Sequence, residues 1–153
     1  MADLFDRRDI DQVTQTCNER GKPYGIKFGE IRRLSNSHRA LEAAEFARVK
    51  GRYDALHSAL FTAYFTHGRD IGNMPVLREL AAENGLDPDA METAIVEGRF
   101  SEQVALGSEQ AGQVGVTAIP TFLIEGAAPI TGAVNESLFR EALQAAAARQ
   151  AES

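Results

Sequence analysis

The hydropathy period of this chain changes along its length, and the places where it changes restrict the possible folds. Apolar residues recur at helical spacing almost without interruption over residues 35–114. Residues 120–125 and 129–132 are then short β-rich runs, which predict a hairpin. Residues 24–31 alternate apolar and polar side chains and predict one half-buried strand before the helical block. The predicted order of helix, strand, five helices, two strands and helix is that of an α/β fold.

Capping residues and periodicity predict the helix boundaries and inner faces. The predicted helices cover residues 9–18, 35–50, 53–67, 73–84, a short helix after Asp87-Pro88, residues 100–114, and a last helix capped by Asn135. Their predicted inner faces include Tyr53, Leu56, Leu60, Leu77, Leu80, Met91, Ile95, Leu138, Phe139 and Leu143. Phe61, Tyr64 and Phe65 lie on the same predicted stripe and are expected to be core residues.

Composition and charge exclude several classes of function. The chain has 153 residues, a net charge of −6 and no basic excess, which argues against binding to nucleic acid or to anionic membranes. No segment approaches the roughly 20 apolar residues of a membrane helix, and residues 1–10 lack the pattern of a secretory signal. We therefore expect a cytoplasmic protein of one domain, or two if a subdomain is inserted.

Nucleophilic and metal-binding side chains are sparse. Cys17 is the single cysteine, so the chain can form neither an internal disulfide nor a cysteine-based zinc site. Cys17 shares a helical face with Ile10 and Val13 near the end of the first helix, which predicts a buried, unreactive thiol. The three histidines lack the spacing of a metal pair, and His57 is expected to be a packing residue. We predict no metal and no cofactor.

Several sequence blocks, in a fixed order, point to a known family. They are Asn36-Ser37 with residues 40–43, residues 60–65 with Gly68, Asp70 and Ile71, residues 76–87, the segment 115–122 (GVTAIPTF), and Thr131-Gly132-Ala133. This pattern resembles the FrnE-like branch of the DsbA family of thioredoxin-fold oxidoreductases. The resemblance implies a thioredoxin-like fold with a large inserted helical subdomain: residues 1–34 and 115–153 would form a partial thioredoxin-like domain, and residues 35–114 the insertion.

The resemblance also implies a binding site at the proline of this segment. Family members carry a cis-proline there, and the main chain just before it pairs with an extended substrate. The corresponding substrate-binding residues are Ala118, Ile119, Pro120 and Thr121.

One family feature is absent from this sequence. Family members catalyse thiol-disulfide exchange with a C-x-x-C pair at the start of a helix, within a strand-helix unit that precedes the segments matched here. This sequence has no C-x-x-C, so it resembles a truncated member with a degenerate active site and no catalytic residue of its own. In the family, the strand of the missing unit lies between the strand predicted at 24–31 and the strand that follows Pro120.

Three functions are compatible with the family resemblance and with the absence of the C-x-x-C pair. The first is a non-catalytic module that binds an extended peptide, or a small thiol such as glutathione, at the cis-proline loop. The second is a thiol-disulfide oxidoreductase of the DsbA type whose catalytic unit is not in this sequence. The third is a glutathione-dependent transferase or isomerase of the kappa or 2-hydroxychromene-2-carboxylate isomerase type.

The missing strand also predicts how the chain assembles. It would leave strand edges at residues 24–31 and 121–125, and soluble proteins cover such edges. We predict a homodimer with the sheet region in its interface, since isologous dimers are the commonest closed assembly. The alternative is a single-chain sheet in which the first strand moves into the gap.

Overall fold

The computed structural model describes residues 7–151 of the chain, and the side chains of residues 11–149. Its helices are α1 (Arg7–Gly21), α2 (His38–Val49), α3 (Tyr53–Phe61), α4 (Met74–Glu83), α5 (Pro88–Val96), α6 (Ser101–Gln113) and α7 (Glu136–Ala151). A 3₁₀ turn at Lys22–Tyr24 follows α1, and a π-helical turn at Thr62–Thr66 follows α3. The strands β1 (Thr121–Phe122) and β2 (Ile130–Thr131) pair antiparallel, which confirms the predicted hairpin.

The described chain divides into two compact units, with the boundary after Ala105. We call them the helical unit and the hairpin unit; the hairpin unit contains β1, β2 and α7. The predicted grouping of residues 1–34 with residues 115–153 stays a prediction.

The core of the helical unit forms between α2, α3, α4 and α5. Its largest fully buried side chains are Leu56, Leu77 and Met91, which confirms the predicted inner faces of α4 and α5. The remaining buried residues are mostly alanines of α2 and its neighbours, namely Ala40, Ala43, Ala44, Ala47, Ala63, Ala81 and Ala94. The small alanine side chains allow the helices to approach closely, and the larger side chains fill the space between them.

Polar contacts fix α5 against α4. The Asp87 carboxylate accepts hydrogen bonds from the backbone N–H groups of Asp89 and Ala90, at 2.9 and 3.1 Å, as predicted for an N-cap followed by proline. Arg78 of α4 forms ion pairs with Asp89 and Glu92 of α5. The cap therefore fixes the start of α5, and the ion pairs tie its first turns to α4.

The prediction of a strand at residues 24–31 is wrong. Residues 25–37 lie outside any helix or strand, and we call residues 26–36 the strap because they run along the π-helical turn. Asn18 bonds Phe28 in both directions, since its amide donates to the Phe28 carbonyl at 2.9 Å and accepts from the Phe28 N–H at 2.8 Å. The Gly29 N–H donates to the Phe65 carbonyl at 2.8 Å. These contacts satisfy the polar groups that a neighbouring strand would satisfy in a sheet.

Glycines allow the strap to lie directly on the helical backbone. A Cβ on Gly29 would lie 2.2 Å from the Thr66 carbonyl oxygen, and one on Gly68 would lie 2.6 Å from the Glu30 carbonyl oxygen. No Cβ is accommodated at such distances, so any larger residue forces the backbones apart. The Thr66 hydroxyl also donates to the Lys27 carbonyl at 2.8 Å.

Asp70 ties the strap to the turn that precedes α4. Its carboxylate accepts from the Gly72 N–H at 3.0 Å and pairs with Arg33 of the strap at 3.3 Å. The Ser35 hydroxyl first, and then the Gly72 N–H and the Arg33 guanidinium, hold the pKa of Asp70 below its usual value.

This lowered pKa predicts how the stability contribution of Asp70 depends on pH. A carboxyl whose folded pKa lies below its unfolded value stabilises the fold above the unfolded value, and that contribution is lost as pH falls through the folded pKa. Asp70→Asn should therefore lower the free energy of unfolding by about 1 kcal/mol at pH 7. The difference in the free energy of unfolding between the variant and the wild type should shrink at pH values below 3.8, the ordinary pKa of an aspartate side chain. Urea titrations of both proteins at neutral and acid pH measure it, and a difference independent of pH would contradict the assignment.

Phe61 at the end of α3, and Tyr64 and Phe65 in the π-helical turn, are not buried core residues, which corrects the prediction for these three aromatic residues. Phe61 is 53% exposed, and Tyr64 and Phe65 are half-buried. Ring contacts instead run along one side of the helix, from Tyr53 to His57 at 5.1 Å, from His57 to Phe61 at 4.7 Å and from Phe61 to Phe65 at 5.5 Å. His57 is thus a packing residue between two rings, as predicted.

The hairpin unit has a small core of its own. Ile130 and Ala146 are buried, and Phe122 of β1 meets Phe139 of α7 edge to face at 4.7 Å. Leu138 and Leu143 were predicted to face inward, but about half of each side chain is exposed. One antiparallel pair of two-residue strands offers too little surface to cover both flanks of α7.

No helix in the described range is long and apolar enough to cross a membrane.

Candidate functional site

The predicted site lies on the loop that connects α6 to β1. The Val116 N–H donates to the Ala111 carbonyl at 2.9 Å, and Gly115 adopts a φ of +80°, so α6 ends in a left-handed glycine cap. This cap turns the chain toward the hairpin. Residues 116–120 then lead into β1 without regular structure.

Hydrogen bonds hold three of the four predicted binding residues, namely Ala118, Pro120 and Thr121. The Ile119–Pro120 peptide bond is cis. The Thr121 hydroxyl donates to the Ala118 carbonyl at 2.6 Å and closes the loop around this bond. The Pro120 carbonyl accepts from the Gly132 N–H at 2.7 Å, so the loop is anchored to the end of β2. The structure therefore brings Ala118, Ile119, Pro120 and Thr121 together as one ordered segment.

The register of the hairpin determines which backbone groups face outward. Thr121 is paired with Thr131, and Phe122 with Ile130. Residue pairs in an antiparallel ladder alternate between hydrogen-bonded and non-hydrogen-bonded. Because the Pro120 carbonyl bonds to Gly132, the Thr121–Thr131 pair is the non-hydrogen-bonded one. The N–H and C=O of Thr121 consequently point away from β2.

No strand among the described residues pairs with this outward edge of β1. In the part of the chain that the structure describes, the sheet consists of β1 and β2 alone. A third strand that reached this edge would meet Thr121 first, and we call residues 119–123 the free edge.

The side chains around the free edge are apolar, exposed and uncharged. Ile119 is 90% exposed and Leu123 is 55% exposed. Residues 114–124 contain no Asp, Glu, Lys, Arg or His. An edge of this kind suits a neutral, extended segment whose backbone supplies the hydrogen bonds.

A shallow groove lies on the other side of the hairpin. It has a volume of about 390 Å³ and runs between residues 127–131 and α7, with Ile130, Leu138 and Ala142 in its lining and Glu141 and Arg149 at its border. It lies beside β2 rather than at the free edge, so it is separate from the predicted site.

Sequence reasoning missed Thr131 and Leu123. The Thr131 hydroxyl lies 3.4 Å from the Thr121 hydroxyl and supports the loop from the neighbouring strand. The hairpin pattern did not identify Thr131, because counting residues back from the predicted connection does not place the two threonines opposite each other; their pairing comes from the observed register. Leu123 follows β1, and its exposure depends on what lies beside the edge, which a single sequence does not specify.

The remaining candidate residues form no catalytic cluster within the described range. Cys17 is half-buried on α1, so the prediction that it is buried is wrong in degree. His38 lies 3.9 Å from the buried Glu42, and Glu42 accepts a hydrogen bond from the Ser101 hydroxyl at 2.5 Å. Among the described residues, no group of three or more His, Cys, Asp or Glu side chains is placed to hold a metal ion.

Comparisons with known proteins agree with this architecture. A family model described as "DSBA-like thioredoxin domain" matches residues 7–144. The chain is similar to the uncharacterized protein YwbO of Bacillus subtilis (strain 168), with 29% identity over 119 residues, which is 77% of this chain and 59% of the relative. It is also similar in fold to the crystal structure of a probable DsbA oxidoreductase, SCO1869, from Streptomyces coelicolor. That match has a TM-score of 0.82 and 21% identity, and covers 94% of this chain and 63% of the other. The chain thus spans about three fifths of the length of each of these two proteins.

Proposed function

Because this chain belongs to the DSBA-like thioredoxin domain family, we propose that its 153 residues bind an extended peptide at the free edge without catalysing thiol exchange. The ligand would add a strand to β1 and pair with the N–H and C=O of Thr121. The observation that carries the proposal is the outward direction of these two groups beside the exposed Ile119.

The electrostatics of the edge favour a peptide over glutathione. Glutathione carries two carboxylates, which require cationic or N–H partners when they leave water. Residues 114–124 supply no cationic side chain. An extended peptide with small apolar or hydroxyl side chains needs none, because its backbone forms the hydrogen bonds.

Strand addition is tested with two peptides of the same sequence. One is a fluorescein-labelled peptide of alternating threonine and valine, and the other carries N-methyl groups on the amides of one edge. We expect the first to bind and the second to bind at least about tenfold more weakly, since N-methylation removes the donors along that edge. Equal polarisation curves for the two peptides would rule out strand addition.

A pair of exposed-residue variants locates the binding. Ile119→Ser should weaken binding of the unmethylated peptide several-fold, because the ligand loses its nearest apolar contact. Val96→Ser changes a similarly exposed residue on α5, in the helical unit, and should leave the affinity unchanged. Melting curves of both variants check that each is folded.

The proposal includes no redox turnover by these 153 residues. A catalytic cycle of thiol-disulfide exchange needs an attacking thiolate and a second thiol to resolve the mixed disulfide, and the chain holds Cys17 alone. We expect no acceleration of dithiothreitol-driven insulin reduction, and no change on Cys17→Ser. A rate above that of buffer which disappears in Cys17→Ser would favour the oxidoreductase alternative instead. Placement in the FrnE-like branch and a cytoplasmic location belong to the same proposal.

A further inference from the structure

We infer that Asn84 is a site of covalent modification, which loses its side-chain amide by deamidation at a rate set by the turn that ends α4. Among the asparagines of the chain, Asn84 alone is followed by glycine. Glycine has no Cβ, so the backbone nitrogen of Gly85 can approach the side chain of Asn84 without obstruction. The site lies in the helical unit, and the inference does not depend on the proposed peptide binding.

The reaction is an intramolecular substitution at the carboxamide carbon of Asn84. Hydroxide removes the proton from the Gly85 nitrogen, which then bonds to Cγ of Asn84. The bond from Cγ to Nδ2 breaks, and Nδ2 leaves as ammonia after taking a proton from water, which regenerates the hydroxide. A water molecule opens the cyclic imide at either carbonyl carbon and gives aspartate or isoaspartate. Ammonia is lost and water is gained, so the mass rises by about 1 Da.

The fold holds both reacting groups in hydrogen bonds. Nδ2 of Asn84 donates to the Leu80 carbonyl at 2.7 Å, which directs the carboxamide back along α4. The Gly85 N–H donates to the Ala82 carbonyl at 3.1 Å. This is the proton that the nitrogen must lose before it can attack. A molecule with both bonds intact is therefore protected, and the reaction requires that the end of α4 opens.

Leu86 anchors this turn to the core. Its N–H donates to the Ala81 carbonyl at 2.9 Å, and its side chain is 7% exposed within the core cluster. Together with the bond from Gly85, whose φ is +73°, this forms a Schellman motif over residues 81–86, which we call the α4 cap. Opening the α4 cap withdraws Leu86 from the core, so the open form is a minor population.

Both products weaken the α4 cap. An aspartate side chain has no N–H to donate to the Leu80 carbonyl. It also adds a negative charge at the C-terminal end of α4, where the helix dipole is already negative. Isoaspartate adds a carbon to the backbone and changes the spacing between Gly85 and its partner Ala82. Modified chains should therefore open at this end more readily than unmodified ones.

Incubation of the native chain in mildly alkaline buffer, with and without concentrated urea, tests the site and its control by the fold. Peptide mass spectrometry should show the mass increase at Asn84 in urea, and a rate at least about tenfold lower in buffer. Leu86→Ala should raise the rate in buffer several-fold and leave the rate in urea unchanged. Val96→Ala truncates a side chain that is 75% exposed, and should leave both rates unchanged. Melting curves show whether each variant is folded during the incubation.

Two results would overturn the inference. An Asn84 peptide of unchanged mass after incubation in urea would rule out the site, and equal rates in buffer and urea would rule out control by the α4 cap. The comparison of buffer with urea uses the wild-type chain, so it decides both points even if Leu86→Ala does not fold. Asn84→Asp reproduces one product directly and should lower the urea midpoint of unfolding. A midpoint equal to that of the wild type would contradict the weakening of the α4 cap.

Discussion

Replacing Gly29 with alanine is expected to lower the free energy of unfolding by about 3 kcal/mol, because the new methyl group cannot be accommodated in the folded backbone. The added Cβ would lie 2.2 Å from the Thr66 carbonyl oxygen. Backbone atoms at that distance cannot turn aside as a flexible side chain can. The strap must therefore move, and the bond from the Gly29 N–H to the Phe65 carbonyl is lost with it. Urea unfolding followed by circular dichroism measures the change.

Gly112→Ala is the matched control for this substitution. Gly112 lies within α6, and a Cβ there would meet no atom within 4 Å. Alanine has the higher helix propensity, so this variant should be more stable than the wild type by up to about 1 kcal/mol. The two glycine-to-alanine substitutions should then change the free energy of unfolding in opposite directions. A Gly29→Ala protein as stable as the wild type would show that the strap is not held against the π-helical turn in solution.

The strap shows that the sequence pattern predicted an extended segment but not the groups that it bonds to. Alternating apolar and polar side chains over residues 24–31 indicate an extended backbone, and residues 25–31 do lie outside any helix. The pattern does not say which partner satisfies its N–H and C=O groups. A strand requires a neighbouring strand, whereas here Asn18 and the turn after α3 provide the partners. Such partners lie far apart in sequence and leave no periodic signal.

The helices were predicted more successfully because their signals are local. Asp87 and Pro88 define the start of α5 within one turn. In α4, Leu77 is followed at helical spacing by Leu80, and in α5 Met91 is followed by Ile95. The family match then supplied the fold, through segments such as residues 115–122 that composition alone would not single out. Periodicity failed for Phe61, because an amphipathic stripe shows which residues share a face but not how much of that face is covered.

The candidate site shows the same division between local and nonlocal information. The resemblance identified residues 118–121, and the hairpin pattern identified the two strands. The direction of the Thr121 backbone groups depends on the register between Thr121 and Thr131, which the connection between the strands sets. The outward direction of the Thr121 N–H and C=O groups could therefore be determined only from the paired strands.

The second large effect is expected in the core of the helical unit. Leu56→Ala should lower the free energy of unfolding by about 4 kcal/mol, near the upper part of the range for leucine-to-alanine changes. Leu56 is 0% exposed, and many of the residues in its cluster are alanines. Alanine has no side-chain rotamers with which to fill a cavity, so the space left by the isobutyl group would remain largely empty.

Two further substitutions show whether the lost volume is the cause. Leu34→Ala removes the same atoms from a side chain that is 83% exposed, and it should change stability by less than about 0.5 kcal/mol. Leu56→Met keeps nearly the same volume and should cost less than about 1.5 kcal/mol. Urea titrations of the three variants should therefore rank Leu34→Ala, Leu56→Met and Leu56→Ala in order of increasing loss. If Leu56→Ala were no more destabilising than Leu34→Ala, the alanine-rich helices would have to collapse onto the cavity, and the close packing of α2, α3, α4 and α5 would not be the main source of stability in this unit.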